Sequence, residues 1–224
     1  MKTILITGAN RGIGLELTRS FAEDGWRVHA CCRDPEGATE LREIEGAVVH
    51  RLDVTDGAMV AGLARELDGE AIDILFNNAG VYGPRSGFGE TDHDAWVPVF
   101  SVNVFAPQRL AESFVEHVAR GERKLILNMS SIMGSVAEAG GGSVIYRASK
   151  AAVNMITKTL SVDLAGRGIT VVAFHPGWVQ TDMGGPHASV DVQESVRGLR
   201  KVIAGLTAKD TGGFFAYDGR KLPW

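Results

Sequence analysis

What this chain lacks narrows it before anything it contains. Only two cysteines occur, Cys31 and Cys32, and they are adjacent. Neighbours in a strand point to opposite faces, so this pair is not placed for an ordinary disulfide. Two thiols without a framework suit a reducing, cytoplasmic compartment and a small buried role, and nothing around them supports thiol catalysis. No run approaches the ~18 apolar residues of a membrane span. The apolar run in residues 1–8 is too short for a secretion signal and leads directly into glycines. There is no basic run or acidic tail, and a net charge of −4 gives no strong pull toward nucleic acid or anionic lipid. The six histidines, at 29, 50, 93, 117, 175 and 187, show no ligand spacing, so no metal site is expected. No repeat and no linker divides the chain.

What is present is an ordinary globular composition, 45% apolar and 22% charged over 224 residues. That fits one large domain covering 1–224 better than two small ones. Short apolar runs alternate with helix-like stretches from end to end. Strands are expected over 3–7, 27–32, 47–52, 72–77, 124–129, 170–174 and 213–217. Several are continuous runs such as ILI, DILF and VVAF, without a polar face, which suits strands covered on both sides. Helices are expected over 13–24, 39–44, 56–67, 104–120, 146–166 and 190–206. A shorter one near 92–99 is interrupted by Pro98. Strictly alternating strand and helix gives an α/β fold: a doubly wound, seven-stranded parallel sheet flanked by helices on both faces.

The first expected strand ends in Thr7-Gly8-Ala9-Asn10-Arg11-Gly12-Ile13-Gly14. Gly8 allows a tight turn, Gly12 lets backbone approach a pyrophosphate, and Gly14 lets the helix pack closely. The helix N-terminus then offers free N–H groups to phosphates. This strand–loop–helix context makes the fold a Rossmann domain that binds a dinucleotide. An acid at the end of the second strand would favour a ribose 2′-hydroxyl. Here that position holds Cys32, followed by Arg33. Arg33 and Arg11 suit a 2′-phosphate, so the cofactor is expected to be NADP. Asp34, one residue further, leaves an NAD reading open.

Tyr146-Arg147-Ala148-Ser149-Lys150 spells Y-x-x-x-K. On a helix, residues four apart share a face, so the phenol and the ammonium enter the same space. A free tyrosine loses its proton near pH ~10. A fixed positive charge nearby is expected to lower that value and fit the tyrosine for proton transfer near neutrality.

Thr7-Gly8, Gly12-Ile13-Gly14, Asn77-Asn78-Ala79-Gly80, Asn103, Ser130-Ser131, Tyr146-x-x-x-Lys150 and Pro176-Gly177 fall in one order along the chain. The set resembles the short-chain dehydrogenase/reductase family over essentially the whole length. The stretch 176–183 and the tail 218–224 look like the branch containing the sniffer-type carbonyl reductases and the bacterial C-signal protein. The resemblance implies an oxidoreductase that interconverts a carbonyl (aldehyde or ketone) and an alcohol. Ser131, Tyr146 and Lys150 would be catalytic, and Asn103 would hold a water near Lys150. Asn78, Ala79 and Gly80 would lie along the cofactor, Asp53 and Val54 at its adenine, and Thr181, with the backbone of Val179, at its carboxamide. Ser131 and Tyr146 stand fifteen apart where many members have thirteen, which Gly140, Gly141 and Gly142 can absorb in a loop.

Walls from 81–90, 132–145 and 178–190 would bring Tyr82, Phe88, Trp178 and Met183 around the substrate, unless those side chains are core. Gly184-Gly185-Pro186 suggests a mobile lid over it. His175 reads as structural. The small-molecule substrate is not named by the sequence. Two alternatives stand: a cofactor-binding signalling protein with little turnover, and an NAD-linked alcohol dehydrogenase of the same fold. The long helices 104–120 and 146–166 allow pairing into a homodimer or homotetramer.

Overall fold

The computed structural model describes residues 1–224. Seven strands form one parallel sheet: β1 (Thr3–Thr7), β2 (Arg27–Cys32), β3 (Ala47–Arg51), β4 (Ile74–Asn77), β5 (Leu125–Met129), β6 (Thr170–His175) and β7 (Phe214–Ala216). Their order is β3-β2-β1-β4-β5-β6-β7. Seven α-helices connect them: α1 (Gly12–Glu23), α2 (Thr39–Arg42), α3 (Gly57–Glu66), α4 (Trp96–Phe100), α5 (Ala106–Arg120), α6 (Val144–Asp163) and α7 (Val192–Gly205). Every expected strand is present, with ends shifted by up to two residues. No helix is long and apolar enough to cross a membrane.

The continuous apolar runs follow from two cores, one on each face. Ile4 and Ile6 join Leu17, Phe21, Leu199 and Ile203 on the face covered by α1 and α7. Leu5, between them, joins Leu63, Leu110, Phe114 and Leu160 on the face covered by α3, α5 and α6. Successive strand residues therefore feed opposite cores, and both are mostly apolar. Cys32 belongs to the first core and Cys31 to the second. Burial raises the Cys31 thiol far above its ordinary value.

Two helices depart from expectation. The stretch near 39–44 is a single turn, α2. Pro98 does not interrupt its helix: a 3₁₀ turn (His93–Ala95) leads into α4, and Pro98 lies in the first turn, where its missing N–H is not needed. Helix then runs on through a π turn (Ser101–Phe105) into α5. Within it the Ala106 N–H reaches back five residues to the Ser101 carbonyl. Pro107 supplies the cause. It has no N–H to give the Asn103 carbonyl four residues earlier, and its ring needs the room the wider turn provides.

A buried polar chain crosses from the sheet to α6. Asn77 Nδ2 donates to Asn128 Oδ1 at 2.8 Å, and Asn128 Nδ2 donates to Thr157 Oγ1 at 2.9 Å. Asn77 and Asn128 face each other across β4 and β5. Replacing Asn128 with leucine leaves the Asn77 amide N–H without that acceptor in the interior, at roughly 1–3 kcal/mol, and takes one hydrogen bond of about 1 kcal/mol from Thr157 Oγ1, which still bonds the Val153 carbonyl. Asn128→Leu should therefore lose about 2–4 kcal/mol of stability and Thr157→Val about 1 kcal/mol. Urea unfolding midpoints of the two variants check both figures.

Candidate active site

The strand order reverses between β1 and β4, and there the glycine loop meets the 78–81 segment. Thr7 Oγ1 accepts from the N–H groups of Asn78 and Ala79, each at 3.1 Å. Asn78 Nδ2 donates to the carbonyls of Thr7 and Gly8 at 2.9 and 3.2 Å. Gly8 (φ +65°) and Gly12 (φ +53°) both take left-handed backbone. A Cβ on Gly14 would lie 2.1 Å from the Gly8 carbonyl oxygen and 2.6 Å from Asn78 Nδ2, so only glycine fits. Gly14 thus makes room for the loop itself. No side chain caps α1, which leaves the N–H groups of its first turn available to a ligand. Asn10 is exposed in the same loop, while Ile13 packs on the core.

At the end of β2, Cys32 is buried and Arg33 is exposed. Asp34 turns its carboxylate onto the Gly37 N–H at 3.3 Å. Arg33 lies near Asp53, whose carboxyl is held below its ordinary value by Thr55 hydrogen bonds first and by Arg33 last. Val54 is buried beside it. Arg11, expected to accompany Arg33, instead pairs with Asp182 at 2.6 Å. That ion pair joins the glycine loop to the segment after β6, where the Thr181 methyl lies 3.2 Å from the Cβ position of Gly12. Gly177 (φ +92°) turns the chain after Pro176, whose carbonyl accepts from Ser195 Oγ at 2.6 Å.

The segment around the glycines at 184 and 185 is tied by hydrogen bonds. Val179 bridges to Val190. Gln180 N–H bonds the Val190 carbonyl at 2.9 Å, and Trp178 Nε1 bonds the Gly184 carbonyl at 2.9 Å. The expected lid is a hydrogen-bonded arch.

Tyr146 and Lys150 lie on one face of α6 and are 7% and 4% exposed. Lys150 Nζ is 5.7 Å from the centre of the Tyr146 ring and donates to the Met129 carbonyl at 2.8 Å. Burial pushes the ammonium down to about 8. Burial also pushes the Tyr146 phenol up to about 12, with Tyr82 adding to the rise and a Ser131 hydrogen bond opposing it. Lys150 is not among the groups that shift the phenol in the protein by itself; burial of the phenolate is the largest cause and acts opposite to the expected lowering.

Ser131 reaches Tyr146 through a 3₁₀ turn (Ile132–Gly134) seated on α6. A Cβ at Gly134 would lie 2.6 Å from the Lys150 carbonyl carbon, so this glycine, overlooked in the sequence, brings β5 and α6 together. Residues 136–142 are exposed and absorb the longer serine–tyrosine spacing. Asn103 Oδ1 accepts from the Val81 N–H at 2.9 Å, and its Nδ2 donates to the Val81 carbonyl at 2.8 Å and Ser149 Oγ at 3.0 Å. Its side-chain amide fixes the 78–81 segment. The Cβ position of Gly80 lies 3.4 Å from Asn103 Oδ1 and 3.5 Å from Lys150 Nζ, which puts all three side by side.

None of the four expected wall residues is core. Phe88 is fully exposed, Trp178 and Met183 are exposed, and Tyr82 stacks on Tyr146. His175 is half-buried, its Nδ1 enclosed without a partner, and desolvation pushes it down to about 4.

The sheet order, the glycine loop at its switch point and the tyrosine–lysine helix define a dinucleotide-binding Rossmann protein. The family model for short chain dehydrogenases matches residues 2–190, and the chain belongs to that oxidoreductase family. It is similar to C-signal of Myxococcus xanthus, 41% identical over 154 residues that cover 68% of this chain and 93% of that protein. Among solved structures, it is similar to the NADPH-bound carbonyl reductase from chicken fatty liver, at 34% identity and TM-score 0.93 over 100% and 99% of the two chains. Carbonyl reductase Sniffer of D. melanogaster superposes with TM-score 0.95 at 33% identity, over the full length of both.

The buried lysine makes a checkable statement about pH. Unfolded, it titrates near 10.5; folded, near 8. Between those values the unfolded chain holds a proton the folded chain has lost, so stability rises with pH across that window. Urea unfolding from pH 8 to pH 10.5 should show the parent gaining stability relative to Lys150→Met. Parallel curves would mean the ammonium is not buried.

Proposed function

We propose that this protein is an NADP(H)-dependent reductase of a carbonyl compound, an aldehyde or ketone, to its alcohol. The observation that carries the reading is the meeting of Ser131, Tyr146 and Lys150 at the C-terminal edge of the sheet, beside a glycine loop that leaves α1 uncapped. The NADPH in the similar chicken enzyme supports the cofactor, as does Arg33 in place of an acid. Gly8, Asn10, Arg11, Gly12, Ile13 and Gly14 would face the pyrophosphate, Arg33 the 2′-phosphate, and Asp53 with Val54 the adenine. Asn78, Ala79, Gly80, Pro176, Gly177, Val179 and Thr181 would border the nicotinamide half. Bound there, the cofactor supplies the hydride.

This chain's residues do the rest. The Ser131 and Tyr146 hydroxyls donate hydrogen bonds to the substrate oxygen as negative charge grows on it. With its phenol pushed up by burial, Tyr146 is protonated at neutral pH and is the general acid: its proton passes to that oxygen as the alcohol forms. The phenolate left behind is stabilised by the Lys150 ammonium at its side, the setting in which the expected lowering operates. Asn103 holds the 78–81 segment in register with Lys150.

Purified protein should oxidise NADPH in the presence of aldehydes, ketones or quinones, and Tyr146→Phe should lose about a hundredfold or more of that rate. Undiminished turnover by Tyr146→Phe would refute the mechanism. Arg33→Asp should reverse the preference for NADPH over NADH. The similarity to C-signal favours a second reading, a cofactor-binding regulatory protein; tight NADPH binding without turnover on any carbonyl would support it.

For assembly, we favour a homodimer or homotetramer paired through α5 and α6, in a cytoplasmic setting. Met155 and Val162 stand seven apart on α6, each 67% exposed, which gives that helix an apolar outer stripe. Sedimentation should show a dimer or tetramer, with Met155→Glu shifted toward monomer.

A further inference from the structure

We propose that Tyr82 and Arg85 form a stacked latch that directs the Tyr146 phenol and ties it to the 178–190 arch. Tyr82 is then a positioning residue and Arg85 the holder of the substrate wall. The proposal rests on the reductase reading above.

The Tyr82 and Tyr146 rings lie stacked, 4.2 Å between centres and 16° between planes. The Arg85 guanidinium carbon is 4.8 Å from the centre of the Tyr82 ring. One face of Tyr82 is covered by Tyr146, so the guanidinium takes the other. The order is Tyr146, Tyr82, Arg85, and it does not end there. Arg85 also donates to the Met183 carbonyl at 3.1 Å, which anchors the arch. At its far edge the Tyr82 hydroxyl donates to Ser143 Oγ at 3.2 Å and Met133 Sδ at 3.6 Å. Ser143 precedes α6 in left-handed backbone (φ +50°), and its N–H bonds the Ser86 carbonyl at 2.9 Å. The 81–86 segment is thereby fastened to the start of α6 and to the arch together.

A phenol turning about its Cα–Cβ bond would swing its hydroxyl off the substrate oxygen, and small misplacements of a reacting group are expensive in rate. Stacking on Tyr82 limits that turning from one side. Three groups meet Tyr146: Lys150 from α6, Ser131 from the turn after β5, and Tyr82 from the segment after β4. Of these, Tyr82 disfavours the phenolate and Ser131 favours it. Arginine suits the outer layer because a planar guanidinium both stacks and donates, which an ammonium cannot do in the same way.

The test is steady-state kinetics of the full chain with NADPH and a carbonyl substrate across pH. Tyr82→Leu should lower kcat by about ten- to a hundredfold. It should also move the alkaline limb of the kcat profile to lower pH, because removing the ring lets water reach the Tyr146 phenol that burial holds up. Tyr82→Phe, which keeps the ring, should restore most of both. Arg85→Lys should raise the KM of the carbonyl more than it lowers kcat. A Tyr82→Leu enzyme with the parent's kcat and limb, or a Tyr82→Phe enzyme as impaired as Tyr82→Leu, overturns the latch while the reductase reading stands. Acrylamide quenching of Trp178, taken as the difference from a Trp178→Phe counterpart, follows the arch without turnover and should rise in Arg85→Lys. If the parent reduces no carbonyl, the reductase reading fails and this quenching decides alone: equal accessibility in parent and Arg85→Lys rejects the latch.

Discussion

A lysine ammonium held in the protein interior is the constraint around which the C-terminal edge of this sheet is built. Lys150 is removed from water and has the Met129 carbonyl as its hydrogen-bond partner. A buried charge so sparsely satisfied is unfavourable by several kcal/mol relative to water. It persists because everything around it is rigid: Gly134 seats the turn after β5 against its backbone, and Asn103 locks the 78–81 segment at its flank. Destabilisation is thus concentrated where the proposed chemistry happens. The same dryness raises Tyr146 and lowers Lys150, so at neutral pH the phenol stays protonated while the ammonium titrates closer to neutrality than an exposed lysine.

Much of this was legible in the sequence because it follows from short periods. Period-two alternation into two cores explains why ILI or VVAF can only be strands sandwiched between helices. Glycines 8, 12 and 14 announce a loop whose backbone must come close to something, and the four-residue step from Tyr146 to Lys150 fixes a shared helix face. What was not legible depends on residues far apart in the chain. The Asp182 that engages Arg11 lies 171 positions away. Whether Lys150 or burial governs Tyr146 is a competition between Coulomb attraction and desolvation, and the amount of water near a side chain is a property of the folded whole. In the arch at 178–190 paired glycines suggest freedom, but the Cβ position of Gly184 falls 2.0 Å from the Val179 carbonyl oxygen, so that glycine marks tight packing, which only the folded chain shows.

Tyr82 belongs to the same category. Nothing in Val81-Tyr82-Gly83 signals a stack on a tyrosine 64 positions later. A residue that reads as one more pocket aromatic turns out to face the tyrosine on which the proposed chemistry centres.

The π turn before Pro107 gives one continuous helical rod two separate phases. Adding a residue to a helix rotates everything beyond it by about 100°. Within the turn Asn103 is aimed at Val81 and Ser149; downstream Leu110 and Phe114 are aimed at the apolar layer beneath the sheet. A regular helix over the same residues could satisfy one of these azimuths only. Pro107 therefore acts as a rotational coupling between a polar front and a greasy rear. Exchanging that imino acid for an ordinary residue would invite the rod to rewind, swinging Asn103 off its neighbours without altering any atom that touches a substrate.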